Sequence, residues 1–200
     1  SHVVLDSNWE SAAAYHLARR GLSVLGFEQF TPAHDRGSSH GLTRVIRQAY
    51  FEHPAYVPLV LRAYELWAEL EKECGRELLR RTGGLMIGRP DSAIVRGSLE
   101  SARTHGLRHR MLSVGELRGR FPFMRFRDDE VALEEYDAGV LLAEEAVLAM
   151  QNLARRHGAD LRFGERAKIG ELAAKKTVVT AGAWAAELLP ALKAERQVLF

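Results

Sequence analysis

Cysteine is nearly absent from this chain. Of its 200 residues only Cys74 carries a thiol, so no internal disulfide can form and a reducing cytoplasm is the expected setting. Long apolar runs are missing too: no stretch approaches the roughly 20 consecutive apolar residues that span a bilayer, and no membrane partner is expected. The N-terminus has neither a basic region before an apolar stretch nor a small-residue cleavage site, so no export signal is read. Neither sign of charge dominates. The 28 Lys and Arg and 26 Asp and Glu are interspersed, giving a net charge of +2 and no reason to expect a nucleic-acid partner. The histidines at 2, 16, 34, 40, 53, 105, 109 and 157 lack ligand spacing, so no metal is expected and most of them belong on the surface. A serine nucleophile elbow and a phosphate loop ending in G-K-[ST] are absent as well.

What is present is a globular composition, 46% hydrophobic and 27% charged, enough for one sizeable core or two small ones. His2 to Leu5 is a short apolar run suited to a buried strand, and Ser11 to Arg20 has alanine-rich helical spacing, stopped by Gly21. Leu22 to Phe27 reads as a second strand, with Glu28 at its end. Strand, tight turn, helix, strand and terminal carboxylate is the layout of a dinucleotide-binding βαβ unit, in which an acid about twenty residues on holds the ribose. Its G-x-G-x-x-G turn is missing. Leu5-Asp6-Ser7-Asn8-Trp9-Glu10 puts side chains where glycines give space, and two carboxylates at a helix N-terminus that would otherwise attract phosphate. The same residues suit a simple helix start, with Asp6, Ser7 or Asn8 as cap and Glu10 complementing the dipole.

Next comes RGSSHGLTRVIRQAY, Arg36 to Tyr50. Gly37 and Gly41 bracket Ser38, Ser39 and His40 in a loop able to take positive φ and turn N–H and hydroxyl groups toward a ligand. Thr43 and Arg44 follow, and Val45-Ile46 then separates Arg44 from Arg47, two permanent guanidinium charges that suit planar anions such as carboxylates. By spacing alone a surface turn leading into an edge strand with two solvated arginines is the better explanation of this stretch. Farther on, Pro54 to Cys74 reads as a long amphipathic helix with Trp67 in the core and Cys74 as a small packed residue. Leu85 to Ile87 and His109 to Leu112 read as strands, and Ser92 to His105 as a helix. Ser113 and Glu116 form a capping box for another helix, ending near Phe121-Pro122. Val131 to Tyr136 reads as a strand before a turn at Asp137-Ala138-Gly139. Glu144 to His157 is helical, and Ala159 to Phe163 and Thr177 to Thr180 are strands. Between the last two, Ala167 to Lys176 shows little strand pattern. Ala181-Gly182-Ala183-Trp184 is a strand-to-helix turn whose small residues permit close approach to a ligand.

GSSHGLTRVIRQAY, followed by Tyr56-Val57-Pro58-Leu59 and Glu65-Leu66-Trp67, resembles the early segment of the monomeric sarcosine oxidase and N-methyltryptophan oxidase family. The likeness continues through TGGLMIG (Thr82 to Gly88), YDAGVL (Tyr136 to Leu141) and VVTAGAWA (Val178 to Ala185). These are FAD-dependent oxidases of secondary amino acids. The resemblance implies an α/β fold: a Rossmann-like FAD-binding domain of the glutathione-reductase type carrying part of an inserted α+β substrate domain. Residues 1–44 and 142–200 would form the first and 45–141 the second. It also implies oxidation of a substrate C–N bond with dioxygen, giving imine and hydrogen peroxide, and a small amino-acid substrate bearing a carboxylate and a secondary amine. Arg47 would pair with that carboxylate, Arg44 would lie against the flavin, and His40 would sit near the same face. Glu28 would bind ribose, with Gly37, Ser38, Ser39, Thr43, Arg44, Ala181 and Gly182 among the cofactor contacts. The family's oxygen-activating lysine, flavin-attaching cysteine and second carboxylate-binding group fall beyond Phe200, and Cys74 does not inherit the cysteine's role. The family also has a β-meander where Ala167 to Lys176 stands. The replaced glycines and this shorter connection leave a rival expectation: a truncated, engineered or degenerate scaffold of the same fold, without cofactor or catalysis.

Overall fold

The computed structural model describes residues 2–5, 10–167 and 174–188. The fingerprint turn at 6–9 and the heart of the shortened connection, 168–173, therefore lie outside the described residues. The chain divides into two compact units, Ser1–Leu42 with Leu142–Phe200, and Thr43–Leu141.

The first unit is built on a parallel sheet. Strands β1 (His2–Leu5), β2 (Val24–Glu28), β9 (Asp160–Phe163) and β10 (Lys176–Val179) lie in the order β10-β1-β2-β9. Helix α1 (Glu10–Arg19) makes the crossover from β1 to β2, as a parallel pair requires. Ser11, Ala14, Tyr15 and Ala18 form its buried stripe at i, i+3, i+4 and i+7, and α1 packs on α5 (Ala143–Arg156). The chain steps outward from β1 to β2 and β9 on one side and to β10 on the other. In such sheets, ligands bind in the crevice outside the C-terminal strand ends where the order reverses.

The second unit is antiparallel. One sheet has the order β3-β8-β4, with β3 (Arg44–Ile46), β4 (Leu79–Arg80) and β8 (Gly139–Leu141); the other has β5-β7-β6, with β5 (Gly84–Gly88), β6 (His109–Leu112) and β7 (Val131–Glu135). Helix α2 (Val57–Cys74) follows a 3₁₀ turn at Pro54–Tyr56 and stops at Gly75, whose φ of 70° suits glycine. Ser92 caps α3 (Ala93–Thr104), and α4 (Val114–Arg120) begins with the full Ser113/Glu116 capping box.

The alternation of β7 separates two cores. Leu133 joins Ala49, Val57, Met86, Ala102 and Leu107 in one, while Ala132 joins Leu112, Leu117 and Phe126 in the other. Some expectations differ from the structure. Trp67 is only half-buried, because Val57, Tyr64 and Leu70 define the buried side of α2. Gly139 belongs to β8 rather than a turn: it faces the Arg80–Arg81 backbone so closely that a Cβ would overlap the Arg80 carbonyl oxygen. His34 is buried, unlike the surface position expected of most histidines.

Candidate functional site

In the first unit, Glu28 ends β2 and is only 2% exposed. Its Oε1 accepts the Phe30 N–H at 2.8 Å, and its Oε2 lies 3.0 Å from His34 Nε2. His34 Nδ1 accepts the Arg36 N–H at 3.1 Å, so the neutral ring carries its proton on Nε2 and donates it to Glu28. Phe30 stands edge-on to His34 (4.9 Å between centroids) and to Trp184 (5.5 Å), tying the end of β2 to the turn after β10. That turn begins at Ala181, which is fully buried, and continues as a 3₁₀ turn, Gly182–Trp184. Gly182 is exposed at φ 48°, and a Cβ there would have nothing within 4 Å, leaving open room beside its backbone.

The glycine-bracketed loop belongs to the same unit up to Leu42. Gly41 takes φ 101°, and its N–H donates to Glu144 Oε1 at 2.7 Å, anchoring the loop to α5. His40 is exposed, with Nδ1–H directed at the Gly37 carbonyl at 2.8 Å; Ser38 is exposed and Gly37 and Ser39 half-buried. The parallel order, with a carboxylate ending β2 and an open glycine after β10, is compatible with a dinucleotide at the C-terminal strand ends. The residues that would receive its pyrophosphate lie at 6–9, outside the described residues.

In the second unit, Thr43 is exposed and Arg44 lies on β3 with Nη1 donating to the Thr43 carbonyl at 2.9 Å. Arg47 follows β3 and is partly buried, its side chain 26% exposed. Its guanidinium stacks over Tyr50 (4.6 Å) and Phe51 (5.3 Å), and Nη2 donates to both Glu52 oxygens, at 3.0 and 3.2 Å. Its Nε is buried and has no hydrogen-bond partner. Arg47 therefore presents a guanidinium whose donors are incompletely used, on an aromatic wall, with an exposed carboxylate as its present partner.

Sequence reasoning missed the residues that hold this segment. The two oxygens of Glu135 accept the N–H groups of Gln48 (2.7 Å) and Ala49 (2.8 Å), and Glu135 is 0% exposed. Burial pushes its carboxyl above the ordinary value, opposed by those two N–H groups and by the Arg47 charge. Tyr64, buried nearby, is raised too, chiefly by burial and then by the Glu135 charge. The available signal was parity: Glu135 shares the inward side of β7 with Leu133, a costly place for a carboxylate without partners. His34 and Glu52 carried no comparable signal. Among the described residues no group of three or more His, Cys, Asp or Glu could hold a metal ion, and no helix is long and apolar enough to cross a membrane.

The family described as FAD dependent oxidoreductase matches residues 11–199. The chain is similar to the monomeric sarcosine oxidase of Streptomyces avermitilis, 48% identical over 208 residues, with 95% of this chain and 54% of that protein covered. It is 34% identical over 204 residues to the N-methyl-L-tryptophan oxidase of Yersinia pestis, covering 95% of this chain and 55% of that protein. Among solved structures, the open form of NikD, described as an unusual amino acid oxidase essential for nikkomycin biosynthesis, aligns with a TM-score of 0.84. Its identity is 26%, over 97% of this chain and 54% of that one. The chain thus spans about half the length of the curated relatives it matches.

Proposed function

The chain belongs to the FAD-dependent oxidoreductase family, and from that premise we propose that it is the cofactor- and carboxylate-binding part of an oxidase of N-methyl amino acids. When bound, FAD would supply the two-electron oxidation of the substrate C–N bond to an imine, the carbon attached to nitrogen giving up a hydride equivalent and the nitrogen a proton, with dioxygen as final electron acceptor and hydrogen peroxide as product. The residues of this chain bind and orient. Glu28 accepts ribose hydroxyls, kept as an acceptor by the His34 Nε2–H and Phe30 N–H that already donate to it. Ala181 and Gly182 admit the cofactor backbone-close, and Gly37, Ser38, Ser39 and Thr43 add N–H and hydroxyl donors. Arg44 would supply positive charge to the flavin, and His40 would be a further polar group of the proposed site.

One observation carries the substrate side of this reading: Arg47 has a buried, unpartnered Nε–H beside an Nη2 held only by Glu52. Nε and Nη2 form the side-on edge of a guanidinium, which grips a carboxylate through two parallel hydrogen bonds. A substrate carboxylate displacing Glu52 uses both. Losing a charge-assisted bond to a carboxylate costs about 1.5–3 kcal/mol, or roughly 10- to 100-fold in affinity. Titration of N-methylglycine into Arg47→Ala should show that loss, while Arg44→Ala should mainly alter the flavin absorption. Unchanged affinity in Arg47→Ala removes its role.

A cofactor-free scaffold is the second reading, favoured by Leu5, Ser7 and Glu10 at the fingerprint positions and by the carboxylates of Asp6 and Glu10. An absorption spectrum separates the two. Purified protein that is yellow with this sequence supports the oxidase. Protein that stays colourless after glycine is restored at 5, 7 and 10, with small neutral residues at 6 and 9, supports the scaffold.

A further inference from the structure

A guanidinium recognises a carboxylate only as well as its backbone is held, and the backbone after Arg47 is gripped from two elements. On β7, the buried Glu135 carboxylate takes the Gln48 and Ala49 N–H groups, one on each oxygen. On α3, Ser101 Oγ donates to the Tyr50 carbonyl at 2.5 Å. One turn earlier on that helix, Gly97 lets the Phe51 carbonyl approach so closely that a Cβ would overlap its oxygen. Ala49 is itself a fully buried member of the core that α3 and β7 share. Four consecutive residues, Gln48 to Phe51, are thus fixed through their backbone, and the two rings lining Arg47 belong to this stretch.

Backbone amides at a bend can be satisfied by water or by a neighbouring carbonyl at little cost. A carboxylate buried away from water is an expensive way to do it, and breaking such an arrangement from either side is costly. Its distinguishing property is that one rigid group takes two adjacent N–H bonds at once and brings negative charge toward Arg47.

We infer that Glu135, backed by Ser101 and Gly97, is a positioning residue for carboxylate recognition: by clamping the Gln48 and Ala49 amides it sets the direction of the Arg47 guanidinium. This rests on the reading above that Arg47 receives the substrate carboxylate. Glu135 touches no substrate. Its effect reaches the ligand only through the segment it holds.

Two measurements test the clamp. Residue-resolved hydrogen exchange on the unaltered purified protein should show the Gln48 and Ala49 amides strongly protected; exchange of both at open-loop rates overturns the inference without any variant. Calorimetric titration with N-methylglycine gives affinity and binding-competent fraction separately. Glu135→Gln replaces one acceptor oxygen by an NH₂ group, leaving an amide facing a donor. Affinity should fall about tenfold with the competent fraction unchanged, the size of one lost buried hydrogen bond. A merely structural role predicts the reverse, a smaller competent fraction of unchanged affinity, and that result overturns the proposal. If Glu135→Gln does not fold, Ser101→Ala decides: weaker binding at full competence supports the clamp, and unchanged affinity refutes it. Arg47→Ala separates the two levels. If it binds N-methylglycine as the parent does, the functional reading fails; if it binds weakly while Glu135→Gln binds normally, only the clamp fails.

Discussion

Gly97→Ala should destabilise this protein even though it places the best helix former inside a helix. In α3 the new Cβ would overlap the Phe51 carbonyl oxygen and stand 2.9 Å from Phe51 C and Cα, where ordinary contact begins near 3.4 Å. All three obstacles are backbone atoms, so no side chain can swing aside. Either α3 or the arm that follows β3, Gln48 to Phe51, must move, and such overpacking costs about 1–3 kcal/mol. Against this, replacing glycine by alanine in a helix gains about 0.8–1.0 kcal/mol. The balance is a loss of up to about 2 kcal/mol, or a fall in Tm of up to about 8 °C at this chain length. Gly119→Ala is the matched control: it lies in α4, exposed, with nothing within 4 Å of the added carbon, and should raise stability through propensity alone. Calorimetric unfolding of the two variants beside the parent gives the comparison. A Gly97→Ala protein as stable as the Gly119→Ala protein would refute the close approach between α3 and the arm.

Glu52→Gln should strengthen binding of a carboxylate ligand, by up to about fivefold, since it removes a competitor whose exposed ion pair contributes at most about 1 kcal/mol; titration with N-methylglycine reads this, and weaker binding counts against displacement of Glu52. His34→Ala should cost about 1–3 kcal/mol in urea unfolding, because the buried Glu28 Oε2 loses a donor; a change within about 0.5 kcal/mol counts against the pairing. The adjacent acids of β7 should give opposite pH dependences. The Glu134 carboxyl is lowered, chiefly by its hydrogen bond to Arg120, so its stabilisation is present above the ordinary carboxylate value and is lost as pH falls through the depressed one. Glu135 is raised by burial, so the stability it confers in acid is lost as pH rises through the elevated value; unfolding of Glu134→Gln and Glu135→Gln across acidic pH checks both signs.

Most of the regular structure was legible because its signals are local. The Ser113/Glu116 box, Gly75 at the end of α2 and the apolar spacing of α1 each act within a turn or two, and the structure follows them. Two-residue β4 and three-residue β8 were not legible. Both are too short to show a period of two, and β8 exists because Gly139 admits the Arg80 backbone, a contact between segments far apart in the chain. The candidate site divides along the same line. Arg44, Arg47 and the glycine-bracketed loop stand in one short stretch and could be picked out together. Glu135 reaches Gln48 and Ala49 across 87 and 86 residues, and His34 reveals itself only when the chain turns back onto Glu28.

The clearest case of what pattern leaves undetermined is the pair Glu134-Glu135. As letters they are interchangeable, two acids ending a strand. A period of two sends them to opposite faces of β7, and the faces differ: one looks to α4, where Arg120 makes a two-bonded pair with Glu134, the other to the core where Leu133 and Ala49 are buried. On the first face a carboxylate meets a compensating charge at the rim. On the second it meets no paired cation, and the donors that satisfy it are two backbone amides of the arm that follows β3. Burying a charge there is tolerable only while those amides stay where they are, so the strand and the arm fix each other. A shift of β7 by one residue would keep only one of the two arrangements: in one direction Glu135 would meet Arg120 while Tyr136 replaced the acceptor of the Gln48 and Ala49 amides, and in the other Glu134 would meet those amides while Leu133 faced Arg120. The register of a strand far from Arg47 in sequence thereby becomes a condition for the direction in which Arg47 points.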